Sequence, residues 1–127
     1  MTRIAALKKL LAKVEAGDDK GFRSANRAVF STPCQDMDLQ SIEEHSHHAY
    51  RGSLDAAKAL HDAVLPGWDW SGYYCGSTTT AFEYQLETEA MRQSLYFEPV
   101  SGSSNHNPSR AWLIAILKVL ISQEAAP

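Results

Sequence analysis

Thr79-Thr80-Ala81-Phe82-Glu83-Tyr84-Gln85-Leu86-Glu87 alternates residue by residue. Phe82, Tyr84 and Leu86 share one face, and Ala81, Glu83, Gln85 and Glu87 share the other. Strict period two marks a strand in a sheet with one buried face and one wet or helix-flanked face. The same period opens upstream, in Trp68 to Cys75, where Trp68 and Trp70 fall together. Cys75-Gly76-Ser77 reads as the turn between the two strands. Ser94 to Glu98 reads as a third short strand, with Leu95 and Phe97 on one side. Short links predict an antiparallel meander of three strands.

Outward from this core the period lengthens to that of a helix. Ile4, Leu7, Leu11 and Val14 predict a helix from about Arg3 to Ala16, with Leu10 flanking the stripe, Thr2 as its cap and Gly17 as its stop. Phe22, Ala25, Val29 and Phe30 predict a second helix over 20–30, ended by Ser31-Thr32-Pro33. Asp38 to Tyr50 is ambiguous, although Leu39, Ile42, Ala49 and Tyr50 fit one helical face. Ser53 caps a helix over 54–65 whose Leu54, Ala57, Leu60 and Val64 face inward; Pro66-Gly67 ends it. On the C-terminal side, Val100 to Pro108 reads as a loop. Asn107 before Pro108 is a cap with proline at the first helical position. The helix that follows, to about Glu124, is apolar nearly all round and must be buried on most sides. Such a helix also suits a homo-oligomer interface. The expected fold is therefore α+β: one domain over 1–127, with a small three-stranded antiparallel sheet sandwiched by N-terminal helices and a buried C-terminal helix.

The chain has 127 residues, 44% hydrophobic and 21% charged, which fits one globular domain. Its net charge of −3 argues against an extended nucleic-acid partner. No apolar run reaches the ~20 residues of a membrane span. Lys8, Lys9 and Lys13 interrupt what would be the core of a secretory signal, so a cytoplasmic protein without membrane partners is expected. Cys34 and Cys75 then read as two reduced thiols, and no CxxC motif supports zinc. Residues 1–27 hold seven basic and three acidic side chains, while the rest of the chain is acidic. That asymmetry is either a patch for an anion or acidic partner, or a solvated helix face.

Three groups of residues are candidates for chemistry. Glu43-Glu44-His45-Ser46-His47-His48 is rich in metal-ligand types, and Glu43 with His47 and Glu44 with His48 have the i, i+4 offset. No His–His pair does, so His45, His47 and His48 support a metal-assisted hydrolase only weakly, and no cofactor or metal is assigned. His61 lies on the inward side of its helix, either as a core residue or as a ligand contact. The third group suits a small anionic, nucleotide-like ligand. Trp68, Trp70 and Tyr96 would stack on a ring, and Arg92 and Arg110 would hold a phosphate, with backbone N–H groups of the Ser101 to Asn107 loop assisting. No nucleophile elbow and no standard phosphate-binding glycine loop is present.

Three stretches carry a family resemblance. Tyr50 to Trp70 contains a Ser-Leu-Asp-Ala-Ala helix followed by Pro-Gly-Trp-Asp-Trp; Ala111 to Lys118 and Leu10 to Gly17 are the others. Together they resemble small phage and prophage proteins similar to the phage ABA sandwich domain. The resemblance implies a helix–sheet–helix sandwich and a viral setting in a bacterial cytoplasm. It supplies no catalytic residues. In that setting the expected role is anti-defence: binding and sequestering a nucleotide-derived immune signal. The alternative is an accessory or inhibitor protein that acts by protein–protein contact.

Overall fold

The structure, a computed structural model, describes residues 2–30, 37–75, 78–84, 100–105 and 107–125. These form an α+β fold of five helices and one three-stranded antiparallel sheet: α1 (Arg3–Ala16), α2 (Asp19–Phe30), α3 (Met37–Arg51), α4 (Leu54–Val64), β1 (Asp69–Cys75), β2 (Thr78–Tyr84), β3 (Val100–Asn105) and α5 (Pro108–Ala125). The strand order is β1-β2-β3, with both pairs antiparallel.

Local chemistry sets the helix ends. Thr2 Oγ1 accepts the Ala5 N–H at 3.2 Å, and Gly17 closes α1 in the left-handed region at φ 69. There its N–H meets the last free carbonyls, a conformation in which a side chain would clash. Ser53 Oγ caps α4 through Ala56 N–H. Asn107 Oδ1 caps α5 by accepting the Arg110 N–H at 3.0 Å.

α5 is the middle of the molecule. It rests on β2 and β3 on one side and meets α1, α3 and α4 on the others, with α2 packed outside on α1 and α3. Ala111 to Leu117, Val119 and Leu120 are all buried. The near-complete apolar circumference of this helix is thus covered within one chain, and its composition no longer argues for a second copy. Among the described residues, no helix is long and apolar enough to cross a membrane.

Two expectations are corrected. The third strand of the sheet is Val100–Asn105, the stretch read as a loop; Ser94 to Glu98 lies outside the described residues. Ser and Gly are poor strand formers, but here tertiary packing decides. Gly102 sits directly beneath α5, where a side chain would run into the helix backbone. Second, Leu54 does not face inward: it is 48% exposed, whereas His61 of the same helix is buried. The core face of α4 is Ala56, Ala57, Leu60 and His61, rotated from the expected stripe.

The face of β2 that meets α5 carries Thr79, Ala81 and Glu83, all buried, while Phe82 and Tyr84 are half-buried on the opposite face. Cross-strand register places Trp70 beside Glu83, and Gly72 and Gly102 beside Ala81. Small residues on this inner face let the helix approach closely.

A stacked column joins α2, α3 and α5. Phe22 lies on Tyr50 at 4.1 Å with the rings 9° from parallel, and the Arg110 guanidinium covers the Tyr50 ring at 4.1 Å. The Tyr50 hydroxyl donates to Asp19 at 2.5 Å, and burial together with that carboxylate pushes the phenol up from its ordinary value. His47 stacks on the outer side of Phe22. Its imidazole is pushed below 6.5, first by burial and then by His48, Arg23 and Arg51, with Glu43 opposing. Between 6.5 and the lower folded value, the unfolded chain binds the extra proton. His47 therefore supports the fold fully above pH 6.5 and progressively less as the pH falls through that window. Melting temperatures should drop from pH 7.5 to 5.5, and His47→Gln should flatten this dependence. An unchanged slope in the variant would contradict the assignment.

Candidate functional site

At β1 the inner face of the sheet meets α5 through two tryptophans. Trp70 of β1 packs on Trp112 of α5 with ring centroids 4.2 Å apart and planes inclined by 33°. Trp112 is 4% exposed, whereas Trp70 is 46% exposed. Beside them opens a hollow of about 170 Å³, bounded by Leu54, Trp70, Thr79, Ala81, Pro108 and Trp112. Pro108 and Trp112, four residues apart, present one side of the first turns of α5 to this hollow. Leu54 reaches it from the first turn of α4. Trp70 and Leu54 are the exposed large hydrophobics among the described residues, and both border the same opening.

Beneath Trp112 lies a buried polar cluster. The indole Nε1–H donates to Glu83 Oε1 at 2.5 Å, and His61 Nδ1 faces the same oxygen at 2.7 Å. The other imidazole nitrogen, Nε2, is 3.0 Å from the carbonyl of Trp68. A carbonyl only accepts, so Nε2 carries a proton, and one further proton lies between Nδ1 and Oε1. Burial pushes the Glu83 carboxyl up; the hydrogen bond from Trp112 and the charge and hydrogen bond of His61 pull it back. With both nitrogens engaged, His61 has none left for a substrate. The cluster fixes the Trp112 ring that floors the hollow, and ties α4, the α4–β1 link, β2 and α5 together.

Trp68 is half-buried and packs against the core. Trp70 lines the hollow, and His61 holds its floor. Arg110 is elsewhere: its Nε and Nη2 donate to the Tyr50 carbonyl at 3.2 and 3.1 Å, and Ser109 Oγ donates to the Ala49 carbonyl at 2.7 Å. Arg110 thus caps the C-terminus of α3, and its remaining face borders a separate hollow of about 380 Å³ with Gly17, Thr78, Ser103 and Ser104. Arg92 and Tyr96 lie outside the described residues, as does Cys34. Ring and phosphate groups are therefore not assembled around one opening among the described residues. His47 and His48 have rings 5.4 Å apart, edge to face, but no three His, Cys, Asp or Glu side chains among the described residues converge as a metal site.

The site also contains residues that pattern reading passed over. Helical period puts Leu54 in the core, alternation leaves open whether the face that carries Glu83 is inside, and nothing in the pattern marks Thr79; Trp112 belongs to the aromatic group from which a ring-stacking site is drawn. The available signal was Trp112 four residues after the helix-opening Pro108, which puts both on one side of the helix.

The chain matches no protein-family model, no curated protein and no solved structure.

Proposed function

We propose that this chain is a non-enzymatic binding module that captures a small molecule through a flat ring. The supporting observation is Trp70, half-exposed above an immobilised Trp112 and facing Leu54 across an apolar hollow. At about 170 Å³ the hollow is smaller than the roughly 300–1,000 Å³ of sites that enclose a whole drug-sized ligand. It suits one ring, with the rest of the ligand outside. Stacking on tryptophan contributes about 1–3 kcal/mol per base, so tight capture needs further contacts beyond the ring. The sequence resemblance supports a phage setting. In that setting the proposed role is sequestration of a nucleotide-derived immune signal in the host cytoplasm.

Calorimetry against a panel of nucleobases, nucleosides and nucleotides tests the reading. At least one member should bind, and Trp70→Ala should weaken it by about tenfold or more, the equivalent of roughly 1.4 kcal/mol. A panel with no binder, or a variant that binds as well as the wild type, would overturn it. A second reading rests on the same exposure: Leu54 and Trp70 together would seat an apolar side chain of a partner protein. A stoichiometric partner lost on Trp70→Ala, with the panel inert, would favour that reading.

A further inference from the structure

Thr79 is 5% exposed, borders the tryptophan hollow, and its Oγ1 has no hydrogen-bond partner among the described residues. A buried hydroxyl without a partner is costly, and valine would fill the same volume with a better strand propensity. The neighbouring Thr80 shows the ordinary solution: its hydroxyl lies 3.1 Å from Ser103 Oγ, a hydroxyl on the outer face of β3. Thr79 stands on the inner face of β2 and borders the opening, with Oγ1 itself covered in the unliganded protein, so that a ring edge meets it on a shift of the lining. Around it stand apolar groups from Leu54, Trp70, Ala81, Pro108 and Trp112. Ser71 and Thr80, from the outer face, also reach its border, but the Thr80 hydroxyl is already engaged with Ser103, and among the described residues no charged side chain lines the hollow.

We infer that Thr79 reads a polar ring edge, so that the hollow selects an uncharged heteroaromatic ring of the nucleobase kind over a hydrocarbon ring of the same size. The inference rests on the ring-binding reading and names its ligand class. A hydroxyl both donates and accepts, so it pairs with a ring nitrogen, a ring N–H or an exocyclic carbonyl. The tryptophan faces supply sequence-blind attraction, and Thr79 supplies the discrimination, since a site built to hydrogen-bond rejects an analogue that leaves its polar group unpaired.

Two fused-ring probes of similar size, adenine and the hydrocarbon indene, are titrated by tryptophan fluorescence into the full chain and its Thr79→Val and Thr79→Ser variants. The wild type should bind adenine more tightly than indene. Thr79→Val should weaken adenine by about tenfold and leave indene within about twofold, while Thr79→Ser keeps the adenine affinity. The unliganded Thr79→Val protein should melt at or above the wild-type temperature, because a partnerless hydroxyl has been removed. Adenine binding unchanged in Thr79→Val would overturn the inference and leave the ring-binding reading standing. An equal loss for both probes would reduce Thr79 to packing. A lower melting temperature would show that the hydroxyl already has a partner, and this too would overturn the inference. If neither probe binds the wild type, the ring-binding reading falls and takes the inference with it.

Discussion

Gly102→Val is expected to remove about 3 kcal/mol or more of stability, the upper end of what overpacking a core costs. A Cβ at this position would collide with the Ala111 carbonyl, lie 2.5 Å from the Ala115 amide nitrogen and 2.8 Å from Ile114 Cβ. Two of these obstacles are helix backbone, which cannot rotate aside as a side chain can. The helix must lift off the sheet, and α5 is the element that the sheet and three other helices share. Domains of this kind carry only about 5–15 kcal/mol in total, so a large part of the population should unfold at moderate denaturant. Gly102→Ala should lose less, about 1–3 kcal/mol, because one methyl needs a smaller displacement. Urea midpoints of the two variants against the wild type are the measurement. A wild-type midpoint for Gly102→Val would mean that α5 does not press on β3.

His61→Leu is expected to cost about 1–3 kcal/mol, the range for leaving a buried hydrogen-bonding group without its partner. It would leave Glu83, itself fully buried, with only the Trp112 indole on Oε1; Oε2 already has no partner among the described residues. Glu83→Leu should be similarly harmful, since it leaves an imidazole and an indole N–H unpaired in the core. The double variant His61→Leu/Glu83→Leu should be clearly more stable than the two losses added together, because no titratable group then stays buried alone. Thermal or urea denaturation of the four proteins gives the coupling directly. Strict additivity would show that His61 and Glu83 do not depend on one another.

Legibility in the sequence followed the range of the interactions. The boundaries of α1 are set by Thr2 and Gly17, and the start of α5 by Asn107 and Pro108, all contacts within a turn. These were readable, as were the α+β class, the first two strands and an antiparallel sheet of three. β3 was not, because Ser101-Gly102-Ser103-Ser104 has no strand signal of its own; it is a strand because a helix needs small residues beneath it. Leu54 fitted the helical period but stands in the first turn of α4, where the helix has not yet entered the core. Alternation in β2 separated two faces without saying which one is inside. The partners that allow Glu83 inside come from 22 and 29 residues away. Arg110 looked like a phosphate ligand because the carbonyl that engages it belongs to Tyr50, 60 residues earlier.

The proposed function has a ring settle against Trp70 above a fixed Trp112. The most direct test is a titration of the full chain with adenine, followed by the three indole N–H signals in a proton–nitrogen NMR spectrum, with Trp70→Phe to assign its peak. A saturable shift of the Trp70 signal is expected, with an unmoved Trp68 signal. The Trp112 signal should lie far downfield from the start, because of its short bond to Glu83. A Trp70 signal that stays in place at saturating adenine, or a shift at Trp68 alone, would contradict the proposed function.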